Sequence, residues 1–209
     1  TKHLKKHYKT FDEIKSQGLD ALIISGANVS QPSLKLEPFY EQLREVVDWS
    51  YENVTSTLCS CLATHAVLEF KYGQKRQPVD KKHWGVFPHQ VVDRDHPLLS
   101  GVSTRFDIPH SRFNEVSELQ FDEVGVKVLA KSSIGVHLAV SPDLFRIVFF
   151  QGHPEYDTIS LLKEYKREIA LYLEDKGLGY PPMPSNYLSI QNQTILNEYR
   201  SNLDSGTMS

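Results

Sequence analysis

The sequence predicts a three-layer α/β fold, a mostly parallel sheet with antiparallel strands added, and three observations carry that prediction. Ala21-Leu22-Ile23-Ile24-Ser25-Gly26 is a short apolar run closed by glycine, the pattern of a strand buried on both faces of a parallel sheet. The β-branched run from Asn53 to Ser60 gives way at Cys61 to Ala63, Ala66, Val67 and Phe70 at helical spacing, so a strand turns into a helix there. Three further runs, Val124 to Ala130, Gly135 to Val140 and Leu144 to Phe150, follow one another across short polar turns and read as consecutive antiparallel strands.

The remaining elements fit around these. Phe39, Leu43, Val46 and Val47 recur at helical spacing between Glu37 and Ser50, with Glu41, Arg44, Glu45 and Asp48 opposite, which predicts an amphipathic helix. From Gly73 to Ser111 the chain is rich in Pro, His and charge and reads as loops and small hairpins. A long helix is expected from about Asp157 to Asp175, with Ile159, Leu162, Tyr165, Ile169 and Tyr172 on its buried face, ended by Gly177 and Gly179. Residues 1–180 are therefore expected to form one folded domain, and 181–209 a Pro-rich linker and weakly ordered polar tail.

Composition narrows the function classes. With 209 residues, 40% hydrophobic, the chain can bury a proper core. A net charge of −3, with both signs interspersed, lacks the basic excess that nucleic acid attracts. No apolar run approaches the roughly 18 residues needed to span a membrane, and the first residues lack the apolar core of a secretory signal, so a soluble cytoplasmic protein is expected. The chain does not begin with Met, which suggests that sequence before Thr1 has been removed. Cys59 and Cys61 stand too close for an ordinary disulfide.

Cys61, between a buried strand and a helix, has the setting of a nucleophile on a tight turn near oxyanion-stabilising N–H groups. A small buried hydrophobe is the competing reading. Metal binding by Cys59, Cys61 and His65 is weaker, because no second ligand pair accompanies them, and no metal is expected. In Gly152-His153-Pro154-Glu155 a constrained turn holds one imidazole and one carboxylate, a base and its orienting group, or simply a helix start with acidic neighbours. Lys82, the Pro109-His110-Ser111-Arg112 turn, Glu164 and Arg167 are each explained equally well as solvated surface.

Taken together, Ala21 to Ala27, Trp49-Ser50, Asn53 to Leu58, Gly85-Val86-Phe87, Pro109 to Arg112 and Gly152 to Asp157 resemble the homoserine O-acyltransferases, also called homoserine transsuccinylases, over roughly Leu4 to Tyr172. That resemblance implies a flavodoxin-like fold of the class I glutamine amidotransferase type, and a strand-helix unit before Leu4 that this chain lacks. It implies Cys61 as nucleophile, with His153 and Glu155 as partners. Lys82, Ser111 and Arg167 become substrate contacts, Arg167 for the amino acid's carboxylate, and Arg112 a determinant of acceptor choice. Ser30 falls where the family carries Glu for acetyl and Gly for succinyl, and its small side chain favours succinyl. The implied reaction is ping-pong transfer from an acyl-CoA co-substrate to the hydroxyl of L-homoserine, in methionine biosynthesis, with no bound cofactor and a homodimer as the assembly. Leu62 and His65 depart from the pattern beside the nucleophile, which leaves L-serine as an alternative acceptor. A glutamine amidotransferase-like hydrolase and a non-catalytic relative are the other readings.

Overall fold

The computed structural model describes residues 2–27, 29 and 31–204. Its chain order is α1 (Lys2–His7), α2 (Phe11–Gln17), β1 (Ala21–Ile24), α3 (Tyr40–Asn53), β2 (Ser56–Ser60) and α4 (Leu62–Tyr72). The long strands β3 (Gln77–Val91) and β4 (Arg105–Glu115) follow, then α5 (Glu118–Glu123), β5 (Lys127–Ser132), β6 (Gly135–Val140), β7 (Ile147–Phe150), α6 (Ser160–Glu174) and α7 (Ile190–Asp204). All seven strands make one mixed sheet in the order β1-β2-β7-β6-β5-β3-β4, as expected of an α/β chain. Among these seven strands the β1–β2 and β2–β7 pairings are parallel and the other four antiparallel, so the sheet is mixed and not mostly parallel as expected; one further parallel bridge joins Gly85 to Ser185.

Burial explains the order. Helix α4 carries Leu62 to Leu68 buried without interruption, so it needs cover on all sides, and it lies over β2 with Cys59, Phe121 and Phe149 in one cluster. A second cluster joins Val91, Leu129, Leu138, Val140 and Val148. The third that matters here holds Trp84 of β3 against Leu161 and Tyr165 of α6.

Three expectations change. Among the described residues strand β1 pairs with β2 alone, and its side chains are exposed or half-exposed, Ile23 71% so, which departs from the expected burial on both faces. The stretch after Gly73 is not loops and small hairpins but a long ribbon, with β3 and β4 paired from Gln77↔Glu115 to Gln90↔Arg105. Finally, the Pro-rich segment is docked. Ser185 donates its N–H to the Trp84 carbonyl (2.9 Å) and accepts from the Val86 N–H (2.9 Å), while Tyr180, Met183, Tyr187 and Leu196 of α7 pack onto the Trp84 cluster. Proline fixes an extended backbone in that strap, which suits edge pairing.

Candidate active site

The strand-to-helix switch at Cys61 is a strained elbow. Cys61 has φ 51° and ψ −111°, a conformation that L residues rarely adopt, at the N-cap of α4. Its own N–H is used by the Phe150 carbonyl (2.8 Å), and the Thr64 hydroxyl reaches the Cys59 carbonyl (3.0 Å) and that of Phe150 (2.9 Å). Cys61 is thereby lifted out of the core and half-exposed, whereas Cys59 two residues earlier is fully buried, its thiol pushed up to about 12 by burial. The loop after β1 passes directly over the elbow: a Cβ on Gly26 would stand 3.2 Å from the Cys61 Cβ and 3.6 Å from the Leu62 N. N–H groups of the first turn of α4 lack helical partners and face this gap.

His153 comes to the elbow from β7's end, 92 residues later in the chain. Its Nδ1 lies 2.8 Å from Glu155 Oε1, which leaves Nε2 for Cys61. Burial alone would drive its pKa down, but hydrogen bonds to Cys61 and Glu155 outweigh burial and raise it to about 9. Burial likewise opposes ionisation of Glu155, and the His153 hydrogen bond reverses this and holds the carboxyl below its usual value. The Ser60 hydroxyl donates to both Glu155 oxygens (3.1 and 3.0 Å), a contact the sequence reading missed; its only signal was its place next to the nucleophile.

Beyond His153 a chain of ring and hydrogen-bond contacts continues to Glu164. The imidazole stacks on Tyr156, ring centroids 4.2 Å apart, and the Tyr156 hydroxyl donates to Glu164 Oε1. Glu164 Oε2 accepts from the Ser111 hydroxyl (2.7 Å) and the Trp84 indole (2.9 Å), two residues directly opposite one another in the β3–β4 pairing. Lys82 Nζ sits 4.0 Å above the Trp84 ring, its pKa lowered by burial and supported by the charges of Glu164 and Glu168. Arg167, one turn after Glu164, is exposed, 3.4 Å from Glu168, and close enough to repel Lys82. So the structure brings Ser111 and, through Trp84, Lys82 to Glu164, which sequence reasoning had left as surface, while Arg167 is paired with Glu168.

Two positions stand apart. Arg112 is 3% exposed and turned away from Ser111, donating to His110 Nδ1, the Asn114 and Ile134 carbonyls and Glu115 (3.3, 3.1, 2.6 and 3.2 Å). Alternation along β4 puts neighbouring side chains on opposite faces, so Arg112 meets the interior where Ser111 meets Glu164. Ser30 lies outside the described residues. The alternative ligand trio is dispersed, with Cys59 in the core and His65 Nε2 3.1 Å from Gln151. Among the described residues no group of three or more His, Cys, Asp or Glu is placed to hold a metal ion, and no helix is long and apolar enough to cross a membrane.

The family model described as homoserine O-succinyltransferase matches residues 1–205. The chain belongs to this family. Homoserine O-succinyltransferases of Nitrosococcus oceani and Allochromatium vinosum are 62% and 61% identical to it over 199 residues, 95% of this chain and 56% of each relative. The chain thus spans a little over half the length of these relatives. Solved structures of glutamine amidotransferases share the fold: one from Thermotoga maritima superimposes with TM-score 0.51 at 14% identity over 91% of this chain and 79% of that one. Another, from Methylobacillus flagellatus, gives 0.54 at 14% identity over 90% and 71%. The family's fold is therefore that of the class I glutamine amidotransferases.

Proposed function

We propose that this chain carries the catalytic chemistry of a homoserine O-succinyltransferase, moving a succinyl group from succinyl-CoA to the hydroxyl of L-homoserine through a thioester on Cys61. One observation carries the reading: a half-exposed cysteine on a strained elbow, paired with an imidazole that Glu155 orients. Cys61, as thiolate, attacks the thioester carbonyl; the new C–S bond forms, the CoA sulfur departs, and His153 gives it the proton. Helix N–H groups beside Leu62 face the developing oxyanion. Having given its proton to the CoA sulfur, His153 is a neutral imidazole, still held at Nδ1 by Glu155. It then takes the proton of the acceptor hydroxyl as that oxygen attacks the acyl group, the Cys61 C–S bond breaks, and the thiolate–imidazolium pair is restored.

The acceptor is held on the Glu164 side. Arg167 supports the α-carboxylate and the Glu164 carboxylate the ammonium, with Ser111, Lys82 and Tyr156 fixing the wall. Ser30 stands at the family position linked to donor choice, and its size supports succinyl over acetyl. The deciding experiment is intact-mass analysis after mixing with succinyl-CoA or acetyl-CoA, then with homoserine or serine. A succinyl adduct that needs Cys61 and is discharged by homoserine is expected; no adduct with either donor, or glutamine hydrolysis instead, ends this reading.

A further inference from the structure

Behind His153 lies a cluster of buried histidines that the reaction does not use. His110 of β4 is fully buried and stacks on His89 of β3, ring centroids 5.0 Å apart and planes 13° from parallel, with His137 of β6 at 5.1 Å from His89 and 5.8 Å from His110. Their hydrogen bonds fix two of the rings. His89 Nδ1 donates to the Phe87 carbonyl (2.9 Å), leaving its Nε2 to accept from Ser132 (3.1 Å). Arg112 Nε donates to His110 Nδ1 (3.3 Å), so the His110 proton is on Nε2.

That Nε2 has no protein partner and points at Gly152, the residue before the general base. A Cβ on Gly152 would fall 2.8 Å from His110 Nε2, 2.9 Å from its Cε1 and 2.6 Å from Ile108 Cγ2. On the other side of the same backbone, the His153 N–H donates to the Pro109 carbonyl (2.9 Å). Residues 109 and 110 therefore grip residues 152 and 153 through one carbonyl and one ring. We propose that His110, locked by Arg112, is a positioning residue for the general base: its ring is the surface against which Gly152 lies, and it sets where His153 stands relative to Cys61. Histidine serves here because it accepts from Arg112, is flat enough for the glycine backbone to approach, and stays uncharged beside an imidazolium. Burial first, and then the charge of Arg112, hold it neutral. Such a role also explains why Arg112, one residue after Ser111, makes four hydrogen bonds inside the protein.

This inference rests on the acyl-transfer reading, and two readouts separate them. Alkylation of Cys61 by iodoacetamide across pH reports the Cys61–His153 pair whether or not the chain transfers an acyl group. The two half-reactions, adduct formation with succinyl-CoA and discharge by homoserine, both need His153, while an acceptor contact affects only the second. In His110→Ala, alkylation near pH 6 is expected to fall about tenfold, the equivalent of one pKa unit in the pair. Both half-reactions should slow by the same factor, and His110→Gln, which can still accept from Arg112, should recover most of the loss. Should His110→Ala fail to fold, Gly152→Ala presses on the same contact with every histidine in place and should give the same equal slowing. Wild-type alkylation and half-reaction rates in either folded variant, or a slowing of discharge alone, overturn the proposal. A wild-type chain that forms no adduct overturns the transfer reading instead, and the alkylation profiles then decide on His110.

Discussion

Where β1, β2 and β7 run parallel, the sheet buries Cys59, Ile147 and Phe149 against Val67, Leu68 and Phe121. Where β3, β4 and β6 run antiparallel, equally buried positions hold His89, His110, His137 and Arg112. Apolar contacts are indifferent to pH and hold the elbow in place, at a gain of about 1.5–3 kcal/mol for each large side chain removed from water. Buried neutral histidines give a hydrogen-bonded frame for the base, but each must stay unprotonated. The first region is built for persistence and the second for alignment within a bounded pH range.

Exchange of the two cysteines breaks the comparison most sharply. Cys61→Ala should lower transfer by more than about 1000-fold with little change in stability, because its side chain reaches the site and not the core. Cys59→Ala should do the reverse, leaving adduct formation intact while costing about 1–2 kcal/mol in urea unfolding. Next comes Glu155→Gln, which keeps the shape but removes the charge that Ser60 and His153 hold; a loss of about 100-fold or more is expected, with the rate profile moving to lower pH as His153 becomes easier to deprotonate.

A smaller effect tests the antiparallel half alone. His137 is depressed to about 3 by burial, and His89 and His110 are also held below the ordinary value of 6.5. Unfolding lets these rings bind protons, so stability is whole above about pH 6.5 and falls as pH drops, by about 1 kcal/mol for His137 one unit lower. His153 has the opposite sign: raised to about 9, it adds stability that is whole below about pH 6.5 and is lost as pH rises through 9. His137→Phe should flatten the acid limb of a denaturation-versus-pH curve and leave the alkaline limb unchanged; an unaltered acid limb would remove the proposed contrast. Smallest of all, Ile23→Thr on the exposed face of β1 should change stability by no more than about 0.5 kcal/mol.

What could be read from sequence follows the same division. Strands β2, β6 and β7 are apolar runs, and the Cys61 switch from strand to helix period is visible in the residues themselves. Strand β3 is not, because its first half is a polar ribbon whose Lys, His and Pro residues are exposed or half-exposed and show no alternation. The proposed Cys61–His153–Glu155 triad came into view through motif likeness, since Cys61 and His153 alone each admitted a bland explanation. Ser60 and Glu164 stayed hidden because their partners, Glu155 for one and Ser111 and Trp84 for the other, lie 53 to 95 residues away and no local pattern marks such contacts. Helix α7 was read as a polar tail: among its described residues Ile190, Ile195 and Tyr199 stay exposed while Leu196 joins the packed cluster, so its apolar residues do not mark one buried face.

The strap across β3 has a bearing on how the molecule is made. Trp84, whose indole holds Glu164, is itself pinned by backbone bonds to Ser185, about 100 residues further along. During synthesis from the N-terminus, the strands and His153 can assemble while that stretch is still emerging, but the wall around Glu164 cannot close until it arrives. The order of translation thus brings Cys61 and His153 together before the contacts around Glu164 are complete.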